Sequence, residues 1–359
     1  MRTPGFCDSK PPARAHPASP DSVRCPQPGF ANATATAQHP AHMRVAVIDI
    51  GSNTIKLLVA ARSASGGIET VRYAVEEARL GRGLGGAQPA LAADSMDRGA
   101  AAVARLLALA RTFAPAKVAL VATSAVRDAA NGPDFTARLD RETSLPVRIL
   151  TGDEEANFIG RGLAADPALA GANDFYLFDL GGGSLECLEF RHRRATQAVS
   201  LRLGCVRLTE RCVADPAAPF STADRATIAD VVRQTFAGPP SPFRFTLPAP
   251  ATAVATGGTV TTVRAMLAAQ AGCALEATGT TVSVAELETL FASTAGLSLS
   301  ARRELPGLPA ARADVFPAAL ATILEVTRLA GIERLTHSFY NLRYGIADEL
   351  LGVGPAGAA

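Results

Sequence analysis

Two stretches of this chain, VAVIDIGSNT (Val45–Thr54) and YLFDLGGGSLE (Tyr176–Glu186), follow one pattern. Each is an apolar run that ends in Asp and then breaks into Gly and Ser. A short apolar run closed by Gly predicts a buried strand entering a tight turn. The two aspartates, Asp49 and Asp179, lie 130 residues apart. A pattern used twice at that separation predicts two related α/β lobes facing each other. A cleft between them would carry backbone N–H groups, hydroxyls and carboxylates on both walls, which is chemistry for phosphate with a divalent metal.

The chain has 359 residues, 48% of them hydrophobic, enough for two cores. Residues 1–42 are rich in Pro, Ala and Ser, lack any apolar period and are expected to be disordered. They carry no secretory apolar region, and the strand at Val45 needs nothing before Met43. With 35 basic and 33 acidic side chains, no global field would steer a polyanion, so local arginines and metal must do so. None of the six cysteines forms a CxxC pair. Cys187 and Cys205 fall in apolar runs as small core residues, which suits a reducing cytoplasm. No apolar run is long enough to span a membrane. Four Tyr and no Trp leave few stacking platforms, so no nucleic-acid partner is expected. A homodimer is a candidate assembly.

The first lobe is expected over residues 43–165, with strands from Val45, Ile55, Glu69, Val118 and Val147 and helices over Met96–Phe113, near FTARLDRETS and from about Asp153. The second is expected over residues 166–352 and repeats the opening with YLFDL and LECLEF. Pro-rich loops are expected at 213–223 and 237–250, and a helix from about Thr259. A capping box joins Ser283 and Glu286. Asp314 is expected to cap a long helix with Pro317 in its first turn. The Arg191–Arg194 cluster reads as a solvated hairpin.

Several segments together resemble one family. They are DIGSNTIKLLVA, RLGRGL, ATSAVRDAAN, TGDEEANFIGRG, DLGGGSLE, SLRLGCVRLTE, ATGGTV and LPGLPAARADVFPA. In this order they resemble the exopolyphosphatase and guanosine-pentaphosphate phosphohydrolase family, in its short form without a helical C-terminal domain. The resemblance implies two ribonuclease-H-like domains of the actin, Hsp70 and sugar-kinase superfamily with an interdomain cleft. It implies removal of the terminal phosphate of polyphosphate, or conversion of pppGpp to ppGpp, with polyphosphate or a guanosine alarmone as ligand. A binding regulator without catalysis is a further alternative. The sequence departs from the family pattern at Leu185, Ala319, Asn341 and Tyr344.

Candidate site residues follow. Gly51, Ser52 and Asn53 form a turn whose amides can nest an anion. Gly181, Gly182, Gly183 and Ser184 form the second, and three glycines in a row suit backbone wrapped on phosphate. Glu186 stands seven residues beyond Asp179, across the expected hairpin. The resemblance makes Asp179 and Glu186 acids of a metal or phosphate site; with Asp49 they are the expected ligands of Mg²⁺ or Mn²⁺, and Asp179 and Glu186 are also expected in catalysis. The resemblance makes Glu155 the general base, with Glu154 as the alternative. Arg79, Arg127 and Asn131 are the expected phosphate donors of the first lobe. Gly257, Gly258 and Thr259 form a phosphate-facing turn before a helix.

Overall fold

Residues 43–86, 88–238 and 242–352 are described by the structure, a computed structural model. The expectations for residues 1–42 and for the tail beyond Gly352 lie outside them. Among the described residues there are two mixed sheets. The first contains β1 (Arg44–Ile50), β2 (Thr54–Arg62), β3 (Ile68–Glu77), β4 (Lys117–Ala122) and β5 (Val147–Ile149), in the order β3-β2-β1-β4-β5. The second contains β6 (Phe175–Leu180), β7 (Leu185–Arg191), β8 (Arg194–Leu201), β9 (Ala253–Thr256), β10 (Thr281–Ser283) and β11 (Arg334–His337), in the order β10-β11-β9-β6-β7-β8. Each sheet opens with an antiparallel meander and then adds two strands parallel to its first, and the second sheet ends in the antiparallel edge strand β10.

The helices are α1 (Ala93–Arg111), α2 (Ser124–Asp128), α3 (Gly132–Thr143), α4 (Gly152–Ala164), α5 (Cys205–Cys212), α6 (Thr222–Ala237), α7 (Gly257–Gln270), α8 (Val284–Ala295), α9 (Leu299–Arg303), α10 (Phe316–Ala330) and α11 (Leu342–Leu351). No helix among the described residues is long and apolar enough to cross a membrane.

Strand alternation divides the apolar residues into three cores. Ala46, Ile48 and Ile50 of β1, with Ile55, Leu57 and Val59 of β2, pack under α1 and α3. Tyr176, Phe178 and Leu180 of β6, with Leu185 and Cys187 of β7, pack under α7, α8 and α10. The opposite faces of both sheets meet in a shared core. Val45, Val47 and Leu58 there join Leu177, Leu188 and Phe190, with α4 and α11 between. The helices are exchanged: α4 packs on β7 and β8 of the second sheet, and α11 on β1, β2 and β3 of the first.

The structure adds one helix, moves one helix start by two residues and corrects one expected cap. Between the Pro-rich stretches lies α6, whose buried Asp224, Ile228, Val232 and Phe236 recur every four residues. Helix α7 starts at Gly257, because Gly257 adopts φ +87°, which turns the chain straight from β9 into the helix. Asp314 does not cap α10 with its side chain, and Val315 is the N-cap. One Asp314 oxygen accepts from the Val315 N–H and the other meets Arg79. The Ser283–Glu286 capping box and the Arg191–Arg194 hairpin form as expected, as does the burial of Cys187 and Cys205.

Candidate active site

The shared-face alternation that fills the central core also brings the polar residues together. Asp49 and Lys56 follow Val47 and Leu58 on the inner face of the first sheet, and they pair across β1–β2. Asp179 and Glu186 pair at the same position of β6–β7. The two turns are wired alike. Gly51 N–H donates to Thr54 O at 3.2 Å, and Gly181 N–H to Ser184 O at 3.0 Å. Carbonyls of both turns are bound from behind. Ser52 O accepts from Gly81 N, and Asn53 O from Ala78 N and Arg79 N. Gly181 O accepts from Cys205 N at the start of α5, and Gly182 O from Val206 N and Arg207 N. With the carbonyls held away, the cleft side of each turn is left to amides and hydroxyls. The turns also touch. A Cβ on Gly182 would lie 2.9 Å from Ser52 Cβ, and one on Gly183 2.7 Å from Ser52 Oγ. Close apposition of the lobes therefore requires glycine at both positions.

Glu155 enters from the first turn of α4. A capping box begins this helix: Thr151 Oγ1 accepts from Glu154 N at 3.2 Å, and Glu154 Oε2 accepts from Thr151 N at 2.8 Å. The other Glu154 oxygen pairs with Arg148. One helical step further round, Glu155 is buried and points into the cleft. Its carboxylate accepts from Arg127 at 2.8 Å. Burial raises its pKa to about 7 against the pull of Arg127, with Asp49 and Asp179 adding like charge. Burial also raises Asp179, while nearby Lys56 opposes it. Burial first, then Glu155 and Asp179, push Glu186 well above the usual carboxylate range. Its Oε1 accepts from Ser200 Oγ at 2.7 Å. Asp49 is partnered by buried Arg343 of α11 at 3.1 Å.

Asp49, Lys56, Glu155, Asp179, Glu186 and Arg343 line one pocket between the sheets, together with Gly51, Ser52, Asn53, Ser124, Gly181, Gly182, Ser184, Gly258 and Arg312. Buried Asn53 Oδ1 and Asn341 Oδ1, both in its wall, have no hydrogen-bond partner among the described residues.

A model of the Ppx/GppA phosphatase family matches residues 59–353. The chain belongs to that family. It is 33% identical over 324 residues to Exopolyphosphatase 2 of Mycobacterium tuberculosis, covering 86% of this chain and 99% of that protein. An exopolyphosphatase structure from Cytophaga hutchinsonii superposes with TM-score 0.78 at 24% identity, covering 87% of this chain and 100% of that one. The Ppx/GppA family member of Aquifex aeolicus superposes with TM-score 0.69 at 23% identity, covering 86% and 98%. The fold is therefore the two-lobed α/β fold of the Ppx/GppA phosphatases.

In this Ppx/GppA phosphatase, the expected residues fall at three distances from the pocket. Asp49, Gly51, Ser52, Asn53, Glu155, Asp179, Gly181, Gly182, Ser184, Glu186 and Gly258 line it. Gly183, Gly257, Thr259 and Arg127 stand behind that wall. A Cβ on Gly257 would overlap Asp179 Oδ1, and Thr259 Oγ1 donates to Leu180 O at 3.3 Å. Two residues are placed elsewhere. Asn131 binds the Leu91 backbone through both ends of its amide, at 2.8 and 2.9 Å. Arg79 pairs with Asp314 across the lobes. Lys56, Ser124, Arg312 and Arg343 were not singled out in the sequence. Lys56 had a signal, since it follows Asp49 by the seven residues that separate Glu186 from Asp179.

The donor set facing the pocket is all oxygen. Among the described residues no three His, Cys, Asp or Glu side chains converge into a metal cage. Asp179 and Glu186 instead form an open pair of carboxylates, which fits Mg²⁺ or Mn²⁺ held by one or two carboxylates plus water and phosphate oxygens.

Proposed function

We propose that this phosphatase hydrolyses the terminal phosphoryl group of inorganic polyphosphate. The observation that carries this reading is the meeting of two glycine turns, each closed by the same Gly N–H to carbonyl bond, beside buried Glu155. Amides and hydroxyls of the turns hold the non-bridging oxygens of the terminal phosphoryl group. Glu155 takes a proton from water as the water oxygen bonds to phosphorus. The bond from phosphorus to the bridging oxygen breaks, releasing orthophosphate and a chain one unit shorter. Arg127 fixes the Glu155 carboxylate, and a pKa of about 7 suits a base that must be both ionised and basic near neutrality. Lys56 and Arg312 offer positive charge to the phosphate. Asp179 and Glu186, with Asp49 alongside, would hold Mg²⁺ or Mn²⁺, which when bound neutralises charge on the phosphoryl oxygens.

The test is phosphate release with Mg²⁺ from polyphosphate and, separately, from pppGpp. Faster release from polyphosphate is the expected result, and faster release from pppGpp moves the substrate to the alarmone. Binding of either with no release from both overturns hydrolysis in favour of a binding regulator.

A further inference from the structure

Helix α5 has eight residues and touches both lobes at three points. Its first N–H groups hold the carbonyls of Gly181 and Gly182. At its middle, buried Arg207 does two things at once. Its Nε donates to Gly183 O at 2.9 Å, and its Nη2 pairs with Asp128 of the first lobe at 2.5 Å. Near its end, Glu210 accepts from the amides of Gly83 and Gly85, also in the first lobe, at 2.7 and 2.8 Å. The helix sits so close to the second turn that a Cβ on Gly204 would overlap Gly183 and Ser184.

The first-lobe end of this connection is as economical. Asp128 is the last residue of α2, and its neighbour Arg127 grips Glu155. Ser124, at the start of the same helix, faces the second turn and lies 3.2 Å from Ser52 Oγ. One short helix therefore anchors both Glu155 and the partner of Arg207.

We infer that Arg207 is a positioning residue, which through Asp128 makes the shape of the Gly181–Ser184 turn depend on lobe contact. When the lobes meet, the guanidinium is fixed at both ends and the Gly183 carbonyl is held away from the cleft. When they part, Asp128 is withdrawn and the carbonyl is free to turn. Arg202, which also reaches Asp128 at 3.2 Å, is exposed and makes no recorded bond to the turn. The catalytic consequence rests on the hydrolysis proposed above, and the structural one does not.

The experiment measures amide exchange in the full-length protein without metal or substrate, comparing wild type with Asp128→Asn and Arg207→Lys. Asp128→Asn keeps the shape and removes the charge. Arg207→Lys keeps a charge but cannot bond both ends. In both, exchange over residues 181–184 is expected to rise by about tenfold or more, with the centres of β1, β2, β6 and β7 unchanged. Phosphate release should show kcat lowered about tenfold or more with KM little changed, and the double variant no worse than either single variant. Wild-type exchange at 181–184 in both variants overturns the inference, whatever the substrate proves to be. A uniform rise across both sheets also overturns it, because it marks a general structural role. Glu210→Gln, on the exposed end of α5, is a variant whose folding is not at stake. It should raise exchange over residues 79–86 and, to a smaller extent, over 181–184, and a rise confined to 79–86 counts against transmission through α5.

Discussion

Arg127 holds the Glu155 carboxylate at 2.8 Å inside a wall that burial makes hostile to its charge. Desolvation outweighs the attraction, which leaves a buried acid that ionises near neutrality. Replacement of Glu155 by Gln keeps the size and removes proton acceptance. The expected fall in kcat is about 10²–10⁴-fold, or roughly 3–5 kcal/mol, with KM nearly unchanged. Glu154→Gln is the control. Its carboxylate closes the α4 capping box and meets Arg148, so it should lose about 0.5–1 kcal/mol of stability and less than about tenfold in rate. Steady-state phosphate release decides, and a crippled Glu154→Gln with an active Glu155→Gln reverses the assignment.

The raised carboxylates predict a pH dependence of stability. An unfolded Glu155 ionises near 4.5, and the folded one near 7. Between those values the folded protein keeps a proton that the unfolded chain has released, so stability falls as pH rises. Asp179 and Glu186 act in the same direction. In EDTA, Tm should decline from pH 5 to pH 8, and Glu155→Gln should flatten that decline. Mg²⁺ should raise Tm more at pH 8 than at pH 5, because the metal competes with protons for these carboxylates. A Tm that rises from pH 5 to pH 8 in EDTA is the contrary result.

Arg343 and Asp49 are both buried and pair across the central core. Arg343→Met leaves a buried carboxylate without its partner. The expected loss is about 3–5 kcal/mol in urea unfolding. Adding Asp49→Asn should recover part of it. A loss below about 1 kcal/mol would show that the pair is not needed for folding.

The Asn131 amide is committed to the Leu91 backbone. Asn131→Ala should therefore lower stability by about 1–3 kcal/mol. At temperatures where the variant is folded, kcat and KM for polyphosphate should match wild type. A KM raised about tenfold would return Asn131 to the role of phosphate donor.

Gly182→Ala places a methyl 2.9 Å from Ser52 Cβ and 3.2 Å from Val206 Cγ2. The two turns must separate to admit it. Stability should fall by about 1–3 kcal/mol, and kcat/KM by about tenfold or more. Equal losses from Gly171→Ala, which has open space around its Cβ position, would point away from turn contact.

Much of this architecture was readable because buried strands declare themselves as short apolar runs closed by glycine. The strand alternation that buries Val45 and Val47 sends Asp49 into the cleft, and Leu177 and Leu188 do so for Asp179 and Glu186. Helix α6 was hidden by its flanking prolines, although Ile228, Val232 and Phe236 carry a four-residue repeat. Arg343 was beyond local reading, since its partner lies 294 residues away. Arg312 ends a single 3₁₀ turn after α9, too short for a periodic pattern to aim its side chain. Asn131 misled because it closes the motif that holds Arg127. As the N-cap residue of α3 it faces the Leu91 loop, away from the base.

The exchange of α4 and α11 between the sheets sets a timetable for synthesis. The first sheet is complete in sequence at Ile149, yet the helix that covers its inner face ends at Leu351. At the usual pace of translation, about 5–20 residues per second, that face waits roughly 10–40 s for its cover. Val45, Val47 and Leu58 are exposed for that interval on a newborn chain. Until α11 docks, the nascent chain therefore carries an uncovered apolar face that favours aggregation.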